Sequence, residues 1–108
     1  MAYDTKLENR IDSLTADWEL TKKQIFGGLC YFLNGNMALG IHKDELIVKA
    51  NEDQGKELLK QLGMRPFDMS KRPMKNWFMA GGVAIKDDKK LLELLEISRD
   101  FTSTLPPK

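Results

Sequence analysis

In Gly28–Ile41, GLCYFLNGNMALGI, two apolar runs flank the triplet Asn34-Gly35-Asn36. Asn and Gly tolerate the positive φ angles that tight hairpin turns require, so this stretch predicts a β-hairpin. Successive side chains of a strand point to opposite faces, and in either register both faces of this hairpin carry large apolar groups. We therefore expect helices on one face and partial cover on the other, for which a second subunit is one source.

The sequence fits two hairpin registers, which differ in the length of the loop. A two-residue loop would place Tyr31 opposite Ala38, whereas a three-residue loop would place Tyr31 opposite Leu39. A shift of one residue exchanges the faces of a strand, so the loop length decides which apolar side chains meet the helices. The side chains of Leu29, Tyr31 and Leu33 form a candidate self-association face, which predicts a homodimer.

Helical spacing of apolar residues predicts three helices, and short β-rich runs predict three further strands. The strands are grouped and joined by short turns, and they do not alternate with helices. This order predicts an α+β, two-layer fold in which helices pack on an antiparallel sheet. The helices span about residues 4–16, Asn51 to Gly63, and Asp87 or Asp88 to Pro106; the strands span residues 18–25, 46–50 and 76–83.

Length and composition bound the function classes. A chain of 108 residues suits one domain over residues 1–108. Seventeen basic and sixteen acidic residues leave a net charge of +1, so there is no global field to attract nucleic acid or an anionic membrane. The single cysteine, the absence of a leader and the lack of an apolar run near ~20 residues predict a cytoplasmic protein without membrane contact.

The sequence offers few groups for catalysis or metal binding. His42 is the only histidine and Cys30 the only cysteine, whereas a zinc site needs several such ligands at one point. Cys30 lies in an apolar run, where a thiol is usually buried and inert. The glycine pairs at 27–28 and 81–82 are typical of strand bulges, and no phosphate-loop motif surrounds them. We expect no catalytic residue, no metal and no cofactor.

The connection from Arg65 to Trp77, RPFDMSKRPMKNW, combines positive charge with aromatic side chains. Such a loop could stack on and neutralise single-stranded nucleic acid, and it could equally dock on an acidic protein surface. A third interpretation is a packed crossover whose path is fixed by Pro66 and Pro73. The candidate binding surface consists of Arg65, Phe67, Lys71, Arg72, Lys75 and Trp77.

Three stretches together resemble the N-terminal domain of the TfoX/Sxy competence regulators. They are Phe26–Ile41 with FGGLCYFLNGNMALGI, Arg65–Trp77 with RPFDMSKRPMKNW, and Ser98–Lys108 with SRDFTSTLPPK. The likeness extends over nearly the whole chain, in order and at compatible spacing. Lys71 and Asn76 stand where many relatives are expected to have glycine, which makes the loop more basic and stiffer.

The resemblance implies a two-layer α+β domain similar to the secretion-chaperone-like fold, and it implies no enzymatic activity. Larger members of the family regulate natural competence in bacteria together with a cyclic-AMP-responsive transcription activator. Because the chain ends at Lys108, we expect it to lack the second domain of those regulators. The resemblance therefore implies a small regulatory module with a protein partner, such as transcription machinery, and leaves direct nucleic-acid binding as the alternative.

Overall fold

The computed structural model of the chain describes residues 3–25, 27–67 and 76–107. Its helices and strands follow one another in the order predicted for an α+β protein. The elements are α1 (Thr5–Leu14), β1 (Thr21–Ile25), β2 (Gly28–Leu33), β3 (Asn36–His42), β4 (Glu45–Lys49), α2 (Glu52–Leu58), β5 (Met64–Pro66), β6 (Trp77–Ala80), a 3₁₀ helix (Gly82–Ile85) and α3 (Asp88–Ser103).

Within the described residues the strands form one six-stranded sheet in the order β1-β2-β3-β4-β6-β5. Every neighbouring pair in this sheet is antiparallel. Helix α3 packs on β3 and β4 and also contacts α1. The predicted α+β fold with helices on an antiparallel sheet is therefore confirmed.

The central hairpin combines the two predicted registers. Asn34 and Gly35 form the tight loop with φ angles of 54° and 82°, and the two residue pairs beside it have the register of a two-residue loop. Beyond them the register shifts, so that Tyr31 lies opposite Leu39. Ala38 is the extra residue of this β-bulge, which turns the rest of the hairpin to the register of the three-residue loop.

The helix-covered face of the sheet holds the main core. Tyr31 and Leu39 of the hairpin are 1% and 0% exposed. Leu91 and Leu95 of α3 are both 0% exposed. Because large apolar side chains from both layers exclude water here, this interface supplies most of the hydrophobic stabilisation.

This burial bears on the predicted self-association face. Leu29 is 3% exposed and Tyr31 is 1% exposed, while Leu33 is partly buried and packs against the same core. Side chains that the chain already covers cannot meet a second copy unless the core opens. Self-association through Leu29, Tyr31 and Leu33 stays a prediction, and it would require this part of the core to open.

Side-chain caps explain where the helices begin. Asp4, Asn51 and Asp87 each accept a hydrogen bond from a backbone N–H in the first turn of the helix that follows. A cap of this kind satisfies an amide that has no partner within the helix. The predictions of Asn51 and Asp87 as helix starts are confirmed.

Several predicted boundaries shift. The first strand begins at Thr21 and not at Trp18, since Glu19 has a φ of 55° that interrupts extended backbone. The strand predicted over residues 76–83 ends at Ala80 and is followed by the 3₁₀ helix. Helix α2 ends at Leu58, five residues before Gly63. Strand β5 begins one residue before the predicted connection, overlaps its first two residues and was not predicted from the sequence.

Candidate functional site

The end of the sheet where β4, β5 and β6 meet the 3₁₀ helix carries an open depression of about 370 Å³. Three glycines and one ion pair dominate its lining, and the depression opens to solvent. Its lining residues are Asp44, Glu45, Gly63, Met64, Arg65, Gly81 and Gly82.

Close backbone approach requires a glycine at position 63. Gly63 has a φ of 86°, and a Cβ atom there would lie 2.4 Å from the carbonyl oxygen of Gly81. The N–H of Gly81 in turn donates to the carbonyl oxygen of Gly63 at 3.0 Å. A larger residue at position 63 would push these two backbone segments apart, whereas a Cβ on Gly81 would meet the side chain of Glu45 at 2.8 Å. The depression therefore has walls of bare backbone.

Arg65 and Glu45 form the ion pair of the depression. The Nη1 atom of Arg65 donates to Oε2 of Glu45, and Nη2 donates to Oε1 at 2.9 Å. This two-point geometry matches the planar guanidinium to the carboxylate. The side chains are 42% and 23% exposed, so the pair lies at the surface and contributes modestly to stability. Its main consequence is that the positive charge of Arg65 is compensated within the chain.

Exposed apolar side chains flank the lining glycines in sequence: Leu62 precedes Gly63, Val83 follows Gly82, and Leu59 lies four residues before Gly63. Leu59, Leu62 and Val83 are 38%, 81% and 45% exposed, and they are the exposed large hydrophobic residues of the described part of the chain. Leu62 precedes Gly63 and Val83 precedes Ala84, and a Cβ on Gly63 would lie 2.9 Å from the Cβ of Ala84. We name Leu59, Leu62 and Val83 the apolar cluster.

The aromatic residues of the predicted binding surface pack on each other. The ring centroids of Phe67 and Trp77 are 6.5 Å apart with an interplanar angle of 53°. The Nζ atom of Lys49 lies 4.9 Å from the Trp77 ring centroid and donates to the carbonyl oxygen of Met37 at 3.1 Å. One face of the Trp77 ring is thus taken up by a cation–π contact.

Three residues of that predicted surface, Lys71, Arg72 and Lys75, lie outside the described residues. Their role in binding stays a prediction. The structure brings Phe67 and Trp77 together, since the N–H of Phe67, the residue after β5, donates to the carbonyl oxygen of Trp77 on β6 at 3.3 Å. Arg65 on β5 instead pairs with Glu45.

A second depression, of about 230 Å³, lies between α1 and the β1–β2 pair. There the Tyr31 hydroxyl donates to Asp12 Oδ1 at 2.9 Å. The Nζ atom of Lys22 donates to Glu8 Oε2 at 2.8 Å and to Asp12 Oδ2 at 2.9 Å. These bonds tie strands β1 and β2 to helix α1.

Both titratable donors of this network hold their protons firmly. Burial, followed by the hydrogen bond to Asp12, raises the pKa of the Tyr31 phenol. The hydrogen bonds to Glu8 and then Asp12 raise the pKa of Lys22. A neutral phenol and a protonated ammonium are poor bases. The network therefore suits a structural link and not proton transfer.

The candidates for reactive chemistry are isolated. Burial raises the pKa of the Cys30 thiol, which lowers the fraction of nucleophilic thiolate. Across residues 3–25, 27–67 and 76–107, no group of three or more His, Cys, Asp or Glu side chains could hold a metal ion. In the same ranges no helix is long and apolar enough to cross a bilayer.

The apolar cluster was not found from the sequence. The helix predicted from Asn51 to Gly63 includes Leu59 and Leu62, and the strand predicted over residues 76–83 includes Val83. The available signal was their position beside backbone breaks, because Gly63 follows Leu62 and Gly82 precedes Val83. A helix or strand commonly ends at such a glycine, so an apolar residue beside it does not belong to the regularly spaced apolar face of that element.

These features define an α+β domain whose surface offers an apolar cluster and an open depression, with no convergent set of reactive groups in the described part. The family model of the TfoX N-terminal domain matches residues 13–102. The chain therefore belongs to the TfoX N-terminal domain family. No curated protein and no solved structure gives a significant match to it.

Proposed function

We propose that this protein is a non-enzymatic interaction module, a small cytoplasmic regulator of transcription or competence that acts by binding another protein. The observation that carries this proposal is the apolar cluster, where Leu62 is 81% exposed beside the depression. Apolar side chains grouped at a surface often mark protein contacts. Membership in the TfoX N-terminal domain family supports the regulatory role.

The geometry of the site also fits a partner protein better than a small substrate. Ligand pockets usually enclose most of the ligand surface and hold convergent polar groups. The depression is open, and its ion pair of Arg65 and Glu45 is internally satisfied. A partner side chain could rest against the bare backbone of Gly63 and Gly81 while its neighbours cover Leu62.

Direct nucleic-acid binding through the connection 65–77 is less well supported by the described residues. Arg65 is paired with Glu45, and Lys49 lies over Trp77. A net charge of +1 adds no general attraction to phosphate. We therefore treat this alternative as an outcome of the test.

The test is quantitative capture from a nuclease-treated lysate of the source organism with the immobilised chain. The variant Leu62→Ser/Val83→Ser removes two exposed apolar anchors, and the matched control Gln61→Ser/Lys86→Ser changes exposed neighbours. We expect the variant to recover a specific partner about tenfold less well, since an interface anchor often contributes more than ~1 kcal/mol. The control should recover the partner normally.

The identity of the partner, read by mass spectrometry, tests the regulatory role. A partner that acts in transcription or DNA uptake supports it, and a partner from an unrelated process contradicts it while leaving the interaction module intact. Equal recovery by wild type and the Leu62→Ser/Val83→Ser variant would refute the apolar cluster as the contact surface. Binding to labelled DNA at ~50 mM salt that weakens steeply with added salt would favour the alternative.

A further inference from the structure

Strand β1 ends the sheet on the side away from the apolar cluster. It pairs with β2 along one edge, and in the described part of the chain no strand pairs with its other edge. Thr21 to Gln24 are all exposed. An edge strand presents unpaired N–H and C=O groups, which are a template for one more strand.

The two lysines of β1 lie on opposite faces of the sheet. Lys22 pairs with Tyr31, which lies in the core, and reaches Glu8 and Asp12 of α1. Lys23 pairs with Cys30 and therefore lies on the face opposite the helices. Its ammonium is exposed there.

The charge around each lysine differs. On the helix side, two carboxylates surround the single ammonium of Lys22, so this side is compensated and slightly acidic. On the other face Lys23 pairs across the strand with Cys30, which is not charged. A strand added at β1 would thus meet the positive charge of Lys23 on one face. On the other face it would meet Lys22, whose charge Glu8 and Asp12 compensate.

We infer that the free edge of β1 binds an extended segment of another protein, with an acidic residue opposite Lys23 and uncharged or basic residues on the helix side. The backbone of the segment would continue the sheet, and the carboxylate would pair with Lys23. Cross-strand pairs of opposite charge stabilise a sheet, whereas like charges directly opposite destabilise it.

A second copy of this chain is a poor occupant of the same edge. Antiparallel pairing of two β1 strands centred on Lys23 would place the two Lys23 side chains opposite each other. Centring the pair on Lys22 would likewise place the two Lys22 side chains opposite each other. Lysine at an edge strand is a common protection against self-pairing, and here it would select for an acidic partner.

This surface is independent of the apolar cluster. Strand β1 and strand β5 lie at opposite ends of the sheet order, and Leu62 lies two residues before β5. Both surfaces could be occupied in one complex, in which case the domain would join two partner segments.

The test uses the full ¹⁵N-labelled chain and two synthetic peptides, TVTETVT and TVTKTVT, which differ only in the charge of the central residue. We expect the Glu-centred peptide to shift the amide signals of residues 21–25 and to slow hydrogen exchange of the outward amides. It should bind about threefold more tightly than the Lys-centred peptide, the effect of one cross-strand ion pair.

A charge reversal sharpens the test. Lys23→Glu should exchange the preference, so that the Lys-centred peptide binds more tightly, while the control Lys89→Glu on α3 should bind like wild type. The Leu62→Ser/Val83→Ser variant should also bind both peptides as wild type does, which separates this inference from the proposed function. Unchanged β1 signals with both peptides, or equal affinity for both, would overturn the inference.

Discussion

Leucines occupy two different environments in this domain. Those of the helix-covered face, such as Leu95 at 0% exposure, are enclosed by the sheet and by neighbouring helices. Those of the apolar cluster, such as Leu62 at 81% exposure, follow the end of a helix and face solvent. Residue type alone therefore does not decide whether a leucine is buried or exposed; the course of the backbone around it does.

The largest expected effect contrasts these two leucines directly. Leu95→Ala should lower the free energy of unfolding by about 2–5 kcal/mol, because it leaves a cavity in the core. Leu62→Ala should change it by less than about 0.5 kcal/mol, since the side chain is already hydrated. Urea denaturation of both variants measures the contrast, and similar losses at the two positions would contradict it.

The next effect concerns helix α2, which joins the core to the apolar cluster. A Cβ on Gly55 would lie 2.1 Å from Cζ of Phe78, so Gly55→Ala should destabilise the domain by about 1–3 kcal/mol despite the better helix propensity of alanine. Lys56→Ala, at the exposed neighbour, is the matched control. A thermal midpoint of Gly55→Ala at or above that of wild type would show that α2 does not pack on Phe78.

A smaller effect comes from the polar network on the helix-covered side. Tyr31→Phe removes the hydrogen bond to Asp12 and should lower the free energy of unfolding by about 1–2 kcal/mol at neutral pH. The raised pKa of Tyr31 means that the folded state keeps its proton above the ordinary value of 10.0. Stability from this group is therefore complete below pH 10.0 and is lost as pH rises beyond it.

Alkaline denaturation series of wild type and Tyr31→Phe test this sign. The wild type should lose stability more steeply above pH 10.0. The pKa of Lys22 is also raised, so this residue lowers the free energy of unfolding at high pH in both proteins. The Tyr31→Phe variant should therefore still lose some stability as pH rises. Parallel slopes in the two proteins would mean that the phenol titrates alike in the folded and unfolded states.

The smallest effect compares the two ion-pair networks. Lys22→Met on the helix side and Arg65→Met at the depression should each cost less than about 1 kcal/mol, because both networks are partly exposed. Added salt should reduce the difference between each variant and wild type. A loss of several kcal/mol from Arg65→Met would show that its pair with Glu45 holds the sheet end together.

The sequence predicted the parts of the fold that local chemistry decides. Asn34-Gly35 specified the hairpin loop, Asn51 and Asp87 specified helix starts, and grouped strands specified the antiparallel sheet. The bulge at Ala38 was not predicted, because apolar residues on both faces of the hairpin fit either register. The sequence left two registers open, and the hairpin contains both, one on each side of the bulge.

The candidate site was less predictable because it depends on contacts between distant residues. The pairing of Arg65 with Glu45 needs β4, β6 and β5 to lie side by side. The approach of Gly63 to Gly81 depends on the same order. The glycines that allow this approach are common in proteins, and no local sequence motif distinguishes them.

Site-specific photo-crosslinking in cells tests the central claim most directly. A photoreactive amino acid would replace Leu62 in one strain and Glu93, on the exposed side of α3, in another. We expect a discrete crosslinked product with a partner protein at position 62 and none at position 93. Crosslinking at position 93 but not at 62 would contradict it.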